Sequence, residues 1–379
     1  MKRILLLLFI IIVLILLVNK KEIKENNISE LRGIYISYIE ISKYLKDKDE
    51  TTSKQNIIRM IENIKKSNLN TIVLQVRPSN DAIYYSKIYP ISKYLSSDNY
   101  YPYDVLKFFI EESNKKNIKV IVWINPYRIS TTENIDEIKE GNPAYKYINT
   151  DTIYINNGIY YNPSKKEVVD LIVSGVEELL NYNINGVLFD DYFYPSDEID
   201  IKDFQNTNNK SLEEYHLEVV NNMIEKVHKK CKEKSVLFGV APDGNIDNNY
   251  HKNYADIKKW LSSEEYIDFI APQIYYGFQN SNKPFIDTIN EWRKLKTNNN
   301  IHFYVSLAFY KTGQYDNYAG LGKEEWLYND NIIMKEIIYS RNIKGYEGFI
   351  LYKYDDIFNS EDNNHNSISE KNNLKRILK

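Results

Sequence analysis

Two adjacent carboxylates, Asp190 and Asp191, end the apolar run GVLFDDY (186–192) and are followed by Tyr192. A carboxyl group among aromatic side chains can be held protonated and can serve as a general acid. Other chemically capable residues end similar apolar runs. They are Gln75 and Arg77; Trp123, Asn125, Tyr127 and Arg128; Asp243; Gln273, Tyr275 and Tyr276; Ser306 and Tyr310; and Lys353 and Asp355. One aspartate could instead cap a loop or pair with Arg77 or Arg128, and Trp123 could be a wall rather than a sugar platform. The chain has only eight arginines among 49 basic residues, so an arginine is informative: lysine cannot reproduce a bidentate guanidinium contact. A tyrosine is weak evidence, because there are 34.

Elements that would gather these residues are legible in the pattern. Eight β-rich runs (31–39, 71–77, 118–127, 186–192, 235–242, 268–276, 301–310 and 348–355) alternate with helical patterns. The helical patterns cover 53–67, 104–116, 165–182, 210–233, 254–261, 283–297 and 332–341, with a last amphipathic piece at 367–378. This alternation predicts a (β/α)8 TIM barrel, a single domain whose chemistry sits at the C-terminal ends of the strands. A doubly wound sheet would want a glycine-rich turn after the first strand, and Glu40-Ile41-Ser42-Lys43 contains no glycine. Alternation along a strand puts Gln75 with Arg77 on one face, Trp123 with Asn125 and Tyr127, Asp190 with Tyr192, and Gln273 with Tyr275. The interior mouth is the expected place for each set. The insertion 128–164 is too long for a plain loop and is expected to wall a cleft.

The chain has 379 residues, a net charge of −3, one cysteine and five histidines. An intrachain disulfide is excluded. The usual zinc-hydrolase histidine motifs are absent, and no cofactor or metal is expected. Nothing in the charge points to nucleic acid. Met1-Lys2-Arg3 precedes fifteen apolar residues, 4–18, which read as a signal peptide or a transmembrane signal anchor. The expected organisation is 1–18 as that segment, 19–30 as a linker, 31–358 as the barrel, and 359–379 as a flexible segment with a C-terminal helix. The barrel would then be exported, membrane-anchored or secreted, and face the cell envelope.

The stretches RGIY (32–35), LNTIVLQVRPSNDAIYYS (69–86), VWINPYR (122–128), NGVLFDDYFYP (185–195), ADIKKWL (255–261) and FIAPQIYY (269–276) resemble the glycosyl hydrolase-like family 10 proteins. The resemblance implies a TIM-barrel protein of the bacterial envelope acting on cell-wall amino-sugar polymer. It implies Asp190 and Asp191 as the acidic site, with Gln75, Arg77, Asn125, Tyr127, Arg128, Gln273 and Tyr275 around it; Trp123, Tyr192 and Tyr310 complete the expected substrate surface. Asn185, Tyr276 and the run APDGN (241–245) depart from the family pattern.

Glycoside hydrolysis usually needs two opposed carboxyl groups. Adjacent residues on a strand point opposite ways, so Asp190 and Asp191 oppose each other poorly. A second acid could be Asp243, Asp355 or Glu40. Alternatively the substrate's own 2-acetamido oxygen attacks, with Asp190 as the acid, Asp191 tuning it, and Gln273 and Tyr275 positioning the acetamido group. Two other readings use the same residues. One is a non-catalytic glycan-binding barrel. The other is a Mg2+- or Ca2+-dependent hydrolase with the aspartates as oxygen ligands.

Overall fold

The computed structural model describes residues 30–190, 193–205, 207, 210–359 and 365–379. The expected membrane segment, Asp191 and Tyr192 lie outside them. Among the described residues no helix is long and apolar enough to cross a membrane.

Eight parallel strands close into a barrel: β1 (Leu31–Ile36), β2 (Thr71–Arg77), β3 (Lys119–Ile124), β4 (Gly186–Phe189), β5 (Leu237–Val240), β6 (Phe269–Ile270), β7 (His302–Ala308) and β8 (Tyr346–Tyr352). Their order around the barrel is β1-β8-β7-β6-β5-β4-β3-β2, closing on β1. All eight sequence-predicted strands are present, but several stop early. Pro78, Pro126, Pro242 and Pro272 lie one or two residues beyond β2, β3, β5 and β6, where a residue without an N–H cannot extend the ladder. The polar residues after these ends are therefore mouth residues rather than strand residues.

The strands are apolar on both faces, as the surrounding helices require. Leu31, Tyr35, Val73, Ile121, Leu188 and Ile350 fill the barrel interior with Phe269 and Tyr304. Their neighbours Ile34, Ile72, Leu74, Val122, Val187 and Leu351 face the helices. Gly239 is where Phe269 needs room: a Cβ there would lie 2.4 Å from the Phe269 ring.

Helices form at Glu50–Lys66, Val105–Lys115, Lys166–Leu179, Leu212–Glu233, Phe285–Leu295 and Ile332–Ser340, close to their expected spans. Asp49, Asp104 and Ser211 start three of them by accepting from backbone N–H groups. The expected helix at 254–261 shrinks to Ile257–Trp260. A helix that the pattern did not indicate, Tyr38–Leu45, follows β1 directly. Ser37 and Glu40 close a capping box on it. The 128–164 insertion holds a three-stranded antiparallel sheet, with Ile159–Tyr161 between Arg128–Ser130 and Ile153–Ile155.

The C-terminal helix His365–Ile377 docks on the helix Ile332–Ser340 through a buried carboxyl. Glu370 accepts from Ile333 N–H at 2.6 Å, capping a helix start that Asn331 leaves without a side-chain cap. Burial pushes the Glu370 carboxyl from 4.5 up to about 7. Glu336, fully buried close by, is pushed well above the ordinary range by burial and then by Glu370. Both shifts are upward, so the stability is fully present below pH 4.5 and is lost as the pH rises, for Glu370 through about pH 7. For Glu370 the loss is about 3 kcal/mol at about 1.4 kcal/mol per unit. Glu370→Gln keeps an acceptor for Ile333 and should flatten the decline. Urea unfolding at pH 5 and pH 8 checks this; a wild type equally stable at both values would refute it.

Candidate active site

Asp190 lies one residue past β4 and is almost fully buried, at 4% exposure. Its Oδ2 accepts from Trp123 Nε1 at 3.2 Å and from Asn125 Nδ2. Asn125 Oδ1 accepts in turn from Gln75 Nε2 at 2.6 Å. Gln75 Oε1 accepts from the backbone N–H of Tyr38 at 2.9 Å. That N–H belongs to the first turn of the helix Tyr38–Leu45, so the capping box at Ser37 and Glu40 anchors the far end of the chain. Four elements thus fix one carboxylate. In a buried setting each amide's orientation is specified by its neighbour, which holds the carboxyl group in one fixed orientation.

A run of aromatic rings continues from Trp123, which touches this carboxylate. Trp123 meets Tyr35 edge-on at 5.5 Å, and Tyr35 meets Tyr352 at 5.7 Å. Tyr352 continues to Tyr275 at 6.0 Å and to Tyr310 at 5.9 Å. Ser306 Oγ donates to Ala271 O, so the Tyr35 hydroxyl donates to Ser306 at 2.9 Å. Burial pushes the Tyr310 phenol up to about 12 and the Tyr352 phenol higher still, so both remain neutral donors at neutral pH. The arc offers flat apolar faces with polar tips, the surface that sugar rings need.

The expected site residues separate into three groups. Gln75, Trp123, Asn125, Asp190, Tyr275 and Tyr310 gather at the mouth. Gln273 is there too, but its Nε2 donates to Ala241 O at 2.8 Å, tying the ends of β5 and β6. Arg77 and Tyr127 need correction. The register between β2 and β3 slips between Gln75 and Arg77, so Gln75 pairs with Trp123 but Arg77 with outward-facing Ile124. This bulge turns Arg77 away from the mouth. Its guanidinium stacks 4.3 Å over the Tyr89 ring, against the helix Lys166–Leu179. There a Cβ on Gly175 would lie 2.0 Å from Arg77 Nη1. Tyr127 follows the end of β3 at Ile124, where alternation no longer applies; it is buried in the outer core with its hydroxyl unpartnered. Arg128 Nε donates to Pro78 O at 2.7 Å and ties the insertion to the loop after β2.

The three alternative carboxylates are engaged elsewhere. Glu40 is fully buried, accepting from Ser37 with Lys353 Nζ at 3.4 Å. Asp355 holds Lys43 at 2.8 Å and Tyr44 at 2.6 Å. Asp243 accepts from Asn245 N–H at 2.7 Å and Asn248 Nδ2 at 2.9 Å, a turn-forming role. Among the described residues, no three His, Cys, Asp or Glu side chains come together as a metal site.

The family model described as Glycosyl hydrolase-like 10 matches residues 30–319. The chain belongs to this family. A curated relative of this glycosyl hydrolase-like 10 chain, Glycosyl hydrolase YngK of Bacillus subtilis, is 31% identical over 290 residues. That match spans 68% of this chain and 56% of the Bacillus protein, little more than half its length. Glycosyl hydrolase DigH of Escherichia coli is 28% identical over 337 residues, 80% of this chain and 76% of that protein. Among solved structures, the glycoside hydrolase domain of PgaB (BpsB) from Bordetella bronchiseptica aligns with a TM-score of 0.58 at 12% identity. The alignment covers 91% of this chain and 99% of that one, a likeness of fold.

In this glycosyl hydrolase-like 10 barrel Phe193 and Tyr194 are held by buried partners. Phe193 meets Trp260 edge-on at 5.9 Å. The Tyr194 hydroxyl donates to Asp200, whose other oxygen lies 2.9 Å from His216 Nε2. Sequence reasoning singled out no histidine, and His216 serves as a buried anchor. It missed Tyr35, Tyr38 and Tyr352 at the mouth. Tyr35 alternates with Gly33 and Leu31 on β1, a usable signal, but one tyrosine among 34 carried no weight.

Proposed function

We propose that this protein is a glycosidase that cleaves amino-sugar glycan strands of the bacterial cell wall, with Asp190 as the general acid. The observation that carries the reading is the Gln75–Asn125–Asp190 chain, joined through Trp123 to an aromatic arc at the barrel mouth. Family membership supports the glycosidase class. Glu40, Asp355 and Asp243 each have structural partners, which favours attack by the substrate's 2-acetamido oxygen over a second enzyme carboxylate. Tyr275 then borders the acetamido group, with Gln273 shaping the wall behind it and Asp191 tuning the acid. The apolar segment 4–18 supports export, with the barrel anchored at the membrane or secreted on the envelope side.

The test incubates residues 27–379 with peptide-free and peptide-bearing peptidoglycan strands and reads the products by mass spectrometry. Soluble fragments from peptide-free strands, unaffected by chelator, are expected. Their end groups name the scissile bond and separate hydrolysis from lytic cleavage. Binding without fragments would favour a glycan-binding barrel, and loss of activity in chelator would favour a metal-dependent hydrolase.

A further inference from the structure

A second concavity lies apart from Asp190, between the 79–99 loop that follows β2 and the 129–142 part of the insertion. Its volume is about 400 Å³, within the range of roughly 300–1,000 Å³ usual for small-ligand sites. Two residues of its lining carry buried polar atoms that have no partner among the described residues. Asp81, 7% exposed, uses Oδ2 to accept from Ser92 Oγ at 2.9 Å and Lys93 N–H at 3.1 Å, while its Oδ1 has no partner. Ser79, 3% exposed, has an unpartnered hydroxyl. Buried polar atoms are normally satisfied, so two orphans in the lining of one cleft point to a ligand that satisfies them.

The lining narrows the ligand's chemistry. Asp81 Oδ1 needs a donor, and Ser79 can give or take a hydrogen bond. Lys93 and Lys139 disfavour a cation, while Asp81, Glu137 and Glu140 disfavour an anion. Lys93 is already paired with Glu137 at 2.8 Å. Pro90, Ile91, Ile129 and Ile138 supply apolar wall. A neutral, polyhydroxylated ring with C–H faces meets all of these conditions. The cleft is also linked to the mouth. Tyr94, next to Lys93, packs against Tyr38 at 4.4 Å with the rings tilted by 44°, and the Tyr38 N–H holds Gln75.

We propose that this cleft is a remote sugar subsite, taking an uncharged residue of the same glycan strand that lies across the mouth. The inference rests on the glycosidase reading for the identity of the strand. It makes binding depend on strand length, since a short fragment fills the mouth alone and a long one reaches both.

The test measures binding by calorimetry of peptide-free peptidoglycan glycan fragments of two and eight sugars. The protein is the full chain carrying Asp190→Asn, so that the probes are not shortened. The eight-sugar probe is expected to bind at least about tenfold more tightly than the two-sugar probe, as a second engaged site implies. Two variants should each bring its affinity down to that of the shorter probe. Asp81→Asn changes the orphan acceptor, and Lys139→Trp fills the cleft from an exposed rim position that leaves the core intact. Equal affinities for both probes, or a length preference that survives Lys139→Trp in a folded protein, would overturn the subsite. Wild-type cleavage is followed in parallel. Fragments released without length preference in binding would refute the subsite and leave the glycosidase reading standing. Length-dependent binding without fragments would do the reverse.

Discussion

Asp190→Asn is expected to lower kcat on peptide-free glycan strands by about 10²- to 10⁴-fold, the usual contribution of a positioned general acid. The substitution keeps the shape of the side chain and an oxygen able to accept from Trp123 and Asn125. Folding and KM should therefore stay close to wild type. The loss belongs in kcat because the proton is needed only as the glycosidic bond breaks. Steady-state kinetics beside a urea unfolding curve checks both halves. Near-normal turnover would remove Asp190 from the acid role, whereas an unfolded variant would show the carboxylate to be a structural group of the mouth.

Arg77→Ala is expected to act on stability rather than on substrate. The guanidinium is buried, stacked on Tyr89, and accommodated by Gly175 on the neighbouring helix. Truncation leaves a cavity between barrel and helix and costs about 2–4 kcal/mol, by analogy with other large buried side chains. Part of that is offset, because a buried charge with no carboxylate at salt-bridge distance among the described residues is also removed. KM should be unchanged. A large rise in KM with unaltered unfolding would put the guanidinium back at the substrate and contradict the β2 bulge.

These two residues mark the boundary of what was legible in advance. Both end an apolar run, and both occupy an expected inward position by strict alternation. For Asp190 the alternation holds through β4: Leu188 is in the inner cluster, and the aspartate follows one step above it. For Arg77 it fails, because the ladder to β3 slips between Gln75 and Arg77. A bulge depends on what the partner strand presents, which a single strand's sequence does not carry. Tyr127 fails for a related reason, since β3 ends three residues earlier and its side chain is aimed by a loop. Pro126 signalled that end. The helix Tyr38–Leu45 carried its own signal as well, Ser37 followed three residues later by Glu40, across the end of a run read as strand.

By itself, the sequence determined the eightfold alternation of strand and helix, the strand-end placement of the polar residues and the family resemblance. These follow from local hydrogen bonding, apolar periodicity and short motifs, all written within a few consecutive residues. Only the tertiary structure decided which of those polar residues meet. Gln75, Asn125 and Asp190 are separated by 50 and 65 residues, and register, strand length and barrel closure join them into one hydrogen-bonded chain. The same closure assembled the arc of Tyr35, Tyr275, Tyr310 and Tyr352 from four different strand ends and turned Arg77 outward. Side-chain direction at a barrel mouth is set by neighbours across the ladder, and those neighbours are distant in the chain.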